Sequence, residues 1–99
     1  MKTELQLKII YKIKELRENE NISQAHLSDI IDVNTPSLVG NIESPKFNHK
    51  YTIKQIIKIS EYFNYPIKRI FLSDDEISEY ENCDLLLNKI LIRISEYNG

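Results

Sequence analysis

The sequence predicts an all-α fold, five short helices followed by an additional C-terminal helical segment. Three observations point there. Apolar side chains recur at three- and four-residue intervals along most of the chain. Helix-opening residues stand in front of the periodic stretches. No glycine or proline interrupts the run between Ser73 and Asn98.

Leu5, Ile9, Ile10, Ile13 and Leu16 define a first amphipathic helix from about Glu4 to Glu18, with Lys8, Lys12, Lys14 and Glu15 between them. Asn19 to Asn21 break the pattern, and the Ser23 hydroxyl is placed to accept from the free N–H groups of a second helix near 24–31. Asp32 serves as the turn residue, since short polar side chains tolerate left-handed backbone angles. Thr35-Pro36 reads as a capping hydroxyl followed by a proline at the first helical position, so a third helix is expected from Pro36 to Glu43. Ser44-Pro45 stops it. Residues 46–51 form a polar loop. Thr52-Ile53-Lys54-Gln55 matches a capping box for a fourth helix, with Ile53, Ile56, Ile57, Ser60 and Phe63 on its inner face and Asn64 at its end. Pro66 opens a short fifth helix through Ile67, Ile70 and Phe71. Beyond Ser73-Asp74-Asp75-Glu76 an apolar stripe continues through Ile77, Tyr80, Leu86, Leu87, Ile90, Leu91, Ile94 and Tyr97. Glu81-Asn82-Cys83-Asp84 fits either an exposed turn of one long helix or a break between two.

Composition narrows the function classes. Ninety-nine residues, 41% hydrophobic and 28% charged, suit one soluble globular domain. The single cysteine, Cys83, excludes an internal disulfide, and with only His26 and His49 beside it the usual zinc spacings are absent. A reducing, cytoplasmic location is therefore expected, and no apolar run is long enough for a membrane span. Asp74-Asp75-Glu76 lacks the alternating ligands and central glycine of a calcium loop. Nothing pairs Cys83 with a base, and Gly40 and Gly99 are too few for a phosphate loop. No metal, cofactor, small-molecule ligand or enzymatic activity is expected. The net charge of −2 hides an asymmetry: residues 1–72 carry eleven Lys/Arg against eight Asp/Glu, and residues 73–99 two against seven. The first part is the one suited to phosphates.

Five helices in this order, with the second and third joined by a tight turn, have the layout of a helix-turn-helix domain. From Ile13 to Phe71 the chain resembles the repressor-type family that includes the phage lambda and 434 repressors and Cro proteins, often called XRE or Cro/C1-type. The match is carried by Ile13-Lys14-Glu15-Leu16-Arg17, Ile22-Ser23-Gln24, Leu27-Ser28, Val33-Asn34, Ile42-Glu43 and Tyr65-Pro66-Ile67-Lys68-Arg69-Ile70-Phe71. The segment from Val39 to Phe47, with Lys50-Tyr51, resembles a variant branch found in Bacteroidetes-type bacteria.

The resemblance implies a lambda repressor-like DNA-binding domain over 1–72, an extension over 73–99, and a transcriptional regulator acting on double-stranded DNA. The third helix would be the recognition helix, with Thr35, Ser37, Gly40 and Asn41 facing base edges; Asn can bond adenine N6 and N7 together. Gln24 would bind a phosphate from the start of the second helix, and Lys46, His49, Lys50 and Lys54 would meet phosphates on one flank. Glu43 matches a position that is structural in relatives. Relatives bind paired half-sites, so a homodimer is expected, with Leu86, Leu87, Ile90, Leu91 and Ile94 as its interface; the other reading of the tail is that it folds back over its own helices.

The chain also departs from the family pattern. It has one residue more between Val33 and Ile42, Asp32 in place of the usual glycine, Ser28 in place of an alanine, and no Arg, Lys or Gln in the third helix. The last departure implies either a site rich in A·T pairs or a disused interface. In the latter case the fold is an interaction module, an antitoxin or accessory subunit, whose acidic tail holds a protein partner.

Overall fold

The computed structural model describes residues 2–32, 34–80 and 84–98, and among them the regular structure is entirely helical. Val33 and the Glu81–Cys83 junction lie outside the described residues. The helices are α1 (Glu4–Asn19), α2 (Gln24–Ile31), α3 (Leu38–Glu43), α4 (Ile53–Phe63), α5 (Ile67–Phe71), α6 (Asp74–Tyr80) and α7 (Asp84–Asn98).

Local chemistry explains most of these boundaries. The Ser23 hydroxyl accepts from His26 N at 3.0 Å. Thr52 and Gln55 form the expected capping box, and Thr3 with Gln6 forms another at the start of α1. Ser73 and Glu76 make the same reciprocal pair before α6, at 3.0 and 3.2 Å. Asn64 closes α4 in the left-handed region, φ 51°.

Two local expectations are corrected. Helix α3 begins at Leu38, two residues beyond Pro36, because the Thr35 hydroxyl is engaged by Asp32 in a preceding turn and does not cap. On α4 it is Ile56 and Ile59 that are wholly buried, while Ile57 is 43% exposed; the apolar face is turned toward α2 and α5, which rotates Ile57 outward.

The core gathers Ile9, Ile13, Leu27, Val39, Ile42, Ile56, Ile59, Ile70 and Phe71 from the first five helices. Tyr97 of α7 joins the same cluster, with no exposed surface. Its ring stands edge-on to Phe71 at 6.0 Å, and its hydroxyl donates to Tyr51 O at 2.7 Å. Gln6 Nε2 donates to Tyr97 O at 2.7 Å. One turn earlier on α7, Arg93 grips both carboxylate oxygens of Glu76 and donates to Phe71 O, so α6 and α7 are joined to each other and to α5.

Tyr97→Ala is expected to lower the unfolding free energy by about 3–5 kcal/mol, the range for truncating a large buried aromatic, as read by chemical denaturation. Hydrogen bonding by the Arg93 guanidinium holds the Glu76 carboxyl below its ordinary 4.5. The pair therefore contributes stability that is complete above that ordinary value and disappears as pH falls through the depressed one. Glu76→Gln should flatten this part of the acid limb in a pH series of thermal unfolding; an acid limb identical to that of the unaltered chain would contradict the assignment.

Candidate nucleic-acid interface

The turn between α2 and α3 is built around the Asp32 side chain. Its Oδ1 accepts from Asn34 N at 3.1 Å, its Oδ2 from the Thr35 hydroxyl at 3.2 Å, and its carbonyl from Thr35 N at 3.1 Å. Asp32 itself is extended, φ −163°, so the expected left-handed conformation is corrected: the carboxylate organises this turn, and no unusual backbone angle is needed at Asp32. The next step depends on Ser28. Wholly buried on α2, its hydroxyl donates to Gln24 O and accepts from Val39 N, each at 2.9 Å. It thus caps the first turn of α3 from a neighbouring helix, a bond that alanine could not make.

At its other end α3 is held by charge. Arg17 Nε and Nη2 donate to the two oxygens of Glu43, both at 2.9 Å, and Arg17 Nη1 donates to Ile22 O at 2.8 Å. The two side chains are 9% and 3% exposed. Hydrogen bonding to Glu43 raises the Arg17 pKa above its ordinary value, which keeps the guanidinium charged. Gln24 Nε2 donates to the same Glu43 oxygen at 2.9 Å. Gly40 lies against this amide: a Cβ there would stand 3.3 Å from Gln24 Oε1, tighter than side chains ordinarily pack. A third anchor, Lys2, donates to the carbonyls of Ile42 and Ser44 as the chain leaves α3. Sequence reasoning missed it, because forty residues separate the partners.

The other predicted site residues fall into distinct environments. Ser37 is exposed at the start of α3 and its hydroxyl makes no capping bond. Asn41 and Gly40 are half-buried one turn on. Thr35 is half-buried with its hydroxyl engaged by Asp32, so it holds the turn. Asn34, absent from the predicted readers, is exposed in the turn before α3. Gln24 is exposed with its amide fixed by Glu43. Lys46 and His49 are exposed in the following loop, the His49 ring edge-on to Phe47 at 5.6 Å. Lys54 is exposed on the first turn of α4, beside a polar groove of about 400 Å³ that also includes Asn34, Thr52, Gln55 and Lys58. Lys50 differs: half-buried, it donates from Nζ to Tyr97 O and Asn98 O, both at 3.2 Å.

On α7, Leu87 and Leu91 are more than half exposed, as are Leu85 and Ile92. Leu86, Ile90 and Ile94 are half-buried, and Ile94 packs on the core. Among the described residues no group of His, Cys, Asp and Glu could hold a metal ion, and no helix is long and apolar enough to cross a membrane.

Comparison with known proteins fits this geometry. The profile of a family described as a helix-turn-helix domain matches residues 10–76. That span takes in the whole arrangement from Arg17 to Lys54, and the fold is the all-α, lambda repressor-like one that the sequence predicts. No curated protein and no solved structure matches the chain.

Removing one member of the buried ion pair leaves the other charged and unpaired. Glu43→Ala is therefore expected to destabilise the chain by about 3–5 kcal/mol, measured by denaturant unfolding; a loss below about 1 kcal/mol would fit only a solvent-screened pair.

Proposed function

The chain belongs to the helix-turn-helix domain family, and from that membership we propose that it binds double-stranded DNA sequence-specifically, as a transcriptional regulator. In this reading α3 enters the major groove, and Ser37, Gly40 and Asn41 meet base edges, with Thr35 fixing the turn beneath them. Gln24, Lys46, His49 and Lys54 bond phosphates on either side and set the orientation.

The observation that carries this reading is the rigid mounting of α3. Ser28, Arg17 and Lys2 tie both of its ends to the rest of the fold, while Asn34, Ser37 and the flanking Lys46 and Lys54 remain exposed. An outer edge without a cation favours A·T pairs, read through Asn41 and van der Waals contact, because the commonest guanine contact needs Arg or Lys.

The homodimer belongs to the same proposal. Leu87 and Leu91 on α7 offer apolar surface to a second copy, with Leu86, Ile90 and Ile94 behind them. Paired domains would then meet half-sites one helical turn apart, roughly 34 Å. The segment from Val39 to Phe47 supports placing the chain in the Bacteroidetes-type branch of the XRE family, acting in a bacterial cytoplasm and without catalysis.

Selection from a random duplex pool should return an A·T-rich palindrome. On the selected duplex, log Kd should vary linearly with log salt, and Lys46→Ala or Lys54→Ala should each reduce the slope by about 0.9. Asn41→Ala should cost about 1–3 kcal/mol and relax the preference at one base pair. Absence of binding at low ionic strength would refute the reading.

A further inference from the structure

We propose that the last turn of α7 is an autoinhibitory latch that withholds Lys50 from the DNA backbone. The inference rests on the DNA-binding reading above and concerns how many phosphates the chain neutralises.

Of the four side chains assigned to phosphates on this flank, Lys46, His49 and Lys54 are exposed and Lys50 is half-buried. Its ammonium lies 3.2 Å from each of two carbonyl oxygens at the C-terminal end of α7, and 5.4 Å from the centroid of the Tyr97 ring. The end of a fifteen-residue helix suits a cation, since its carbonyls have no intrahelical partners and carry the negative end of the dipole. With two of its three donors directed there, extending the ammonium outward to a phosphate breaks both of these bonds.

The turn that holds Lys50 is itself fixed. Tyr97 is wholly buried, its hydroxyl donates to the carbonyl of Tyr51, and its own carbonyl accepts from Gln6 as well as from Lys50. Residues 50 and 51 are therefore clamped to one turn of α7 just before Thr52 caps α4. Docked, the latch keeps Lys50 inward; undocked, it releases a cation into the row formed by Lys46, His49 and Lys54.

Amine acetylation followed by mass spectrometry, on the unaltered chain with and without the selected duplex, tests the proposal without a folding risk. Lys46 and Lys54 should react fast and be protected by DNA, whereas Lys50 should react several-fold more slowly in both states. Salt titrations provide a second readout. Lys50→Gln should leave the slope unchanged in the otherwise unaltered chain. Tyr97→Ala should steepen it by about 0.9, and adding Lys50→Gln should remove that increase. If Tyr97→Ala does not fold, acetylation and the single Lys50→Gln variant decide. Fast, DNA-protected acetylation of Lys50, or a flatter slope for Lys50→Gln alone, overturns the latch while leaving DNA binding intact; no binding by any form overturns both.

Discussion

The Arg17–Glu43 pair is the constraint from which the geometry of the surface around α3 follows. One guanidinium joins α1, the carboxylate closing α3, and the carbonyl of Ile22 before α2, and the same carboxylate fixes Gln24. A helix of six residues is far too short to persist by itself. What holds α3 comes from outside it: Ser28 at its first turn, Arg17 at its last residue, Lys2 on the carbonyls beyond. Burying two charges is expensive, and the forked geometry with a third bond to Ile22 O is what offsets the desolvation. Such a pair adds little net stability, so its effect is better seen in geometry: it fixes where α3 and the Gln24 amide stand relative to each other.

Much of this was legible in the sequence because it is encoded locally. Ser23, Thr52 with Gln55, and Asn64 act within a few residues of themselves, and each delimits a helix where the pattern expects it. The start of α3 was not legible, because Thr35-Pro36 satisfies the local rule for a helix opening while Asp32 competes for the same hydroxyl and wins. Two of the departures from the family pattern are explained by the same region. Asp32 replaces a glycine by bonding the turn through its carboxylate, and Ser28 replaces an alanine by bonding across to Val39. Periodicity misjudged Ile57 because it locates a stripe and not the direction from which neighbours pack.

The tail divides in a way that no periodicity could show. Its stripe serves two directions: Tyr97 and Ile94 turn into the core, whereas Leu87 and Leu91 turn outward. Folding back and presenting an apolar flank are therefore compatible. Lys50 shows the limit of reading a site by position along the chain, since spacing places it among phosphate-binding lysines and a contact forty-seven residues away places it on α7.

The central claim is that one rigidly mounted surface, the α2–α3 turn with α3 and the loop into α4, meets duplex DNA. Titrating the isotopically labelled chain with the selected duplex and following backbone amide shifts tests it residue by residue. The account predicts the largest changes at 24–26, 34–41 and 46–54, with the outer flank of α7 at Leu87 and Leu91 undisturbed. Shifts concentrated on α6 and α7 with α3 silent would contradict it.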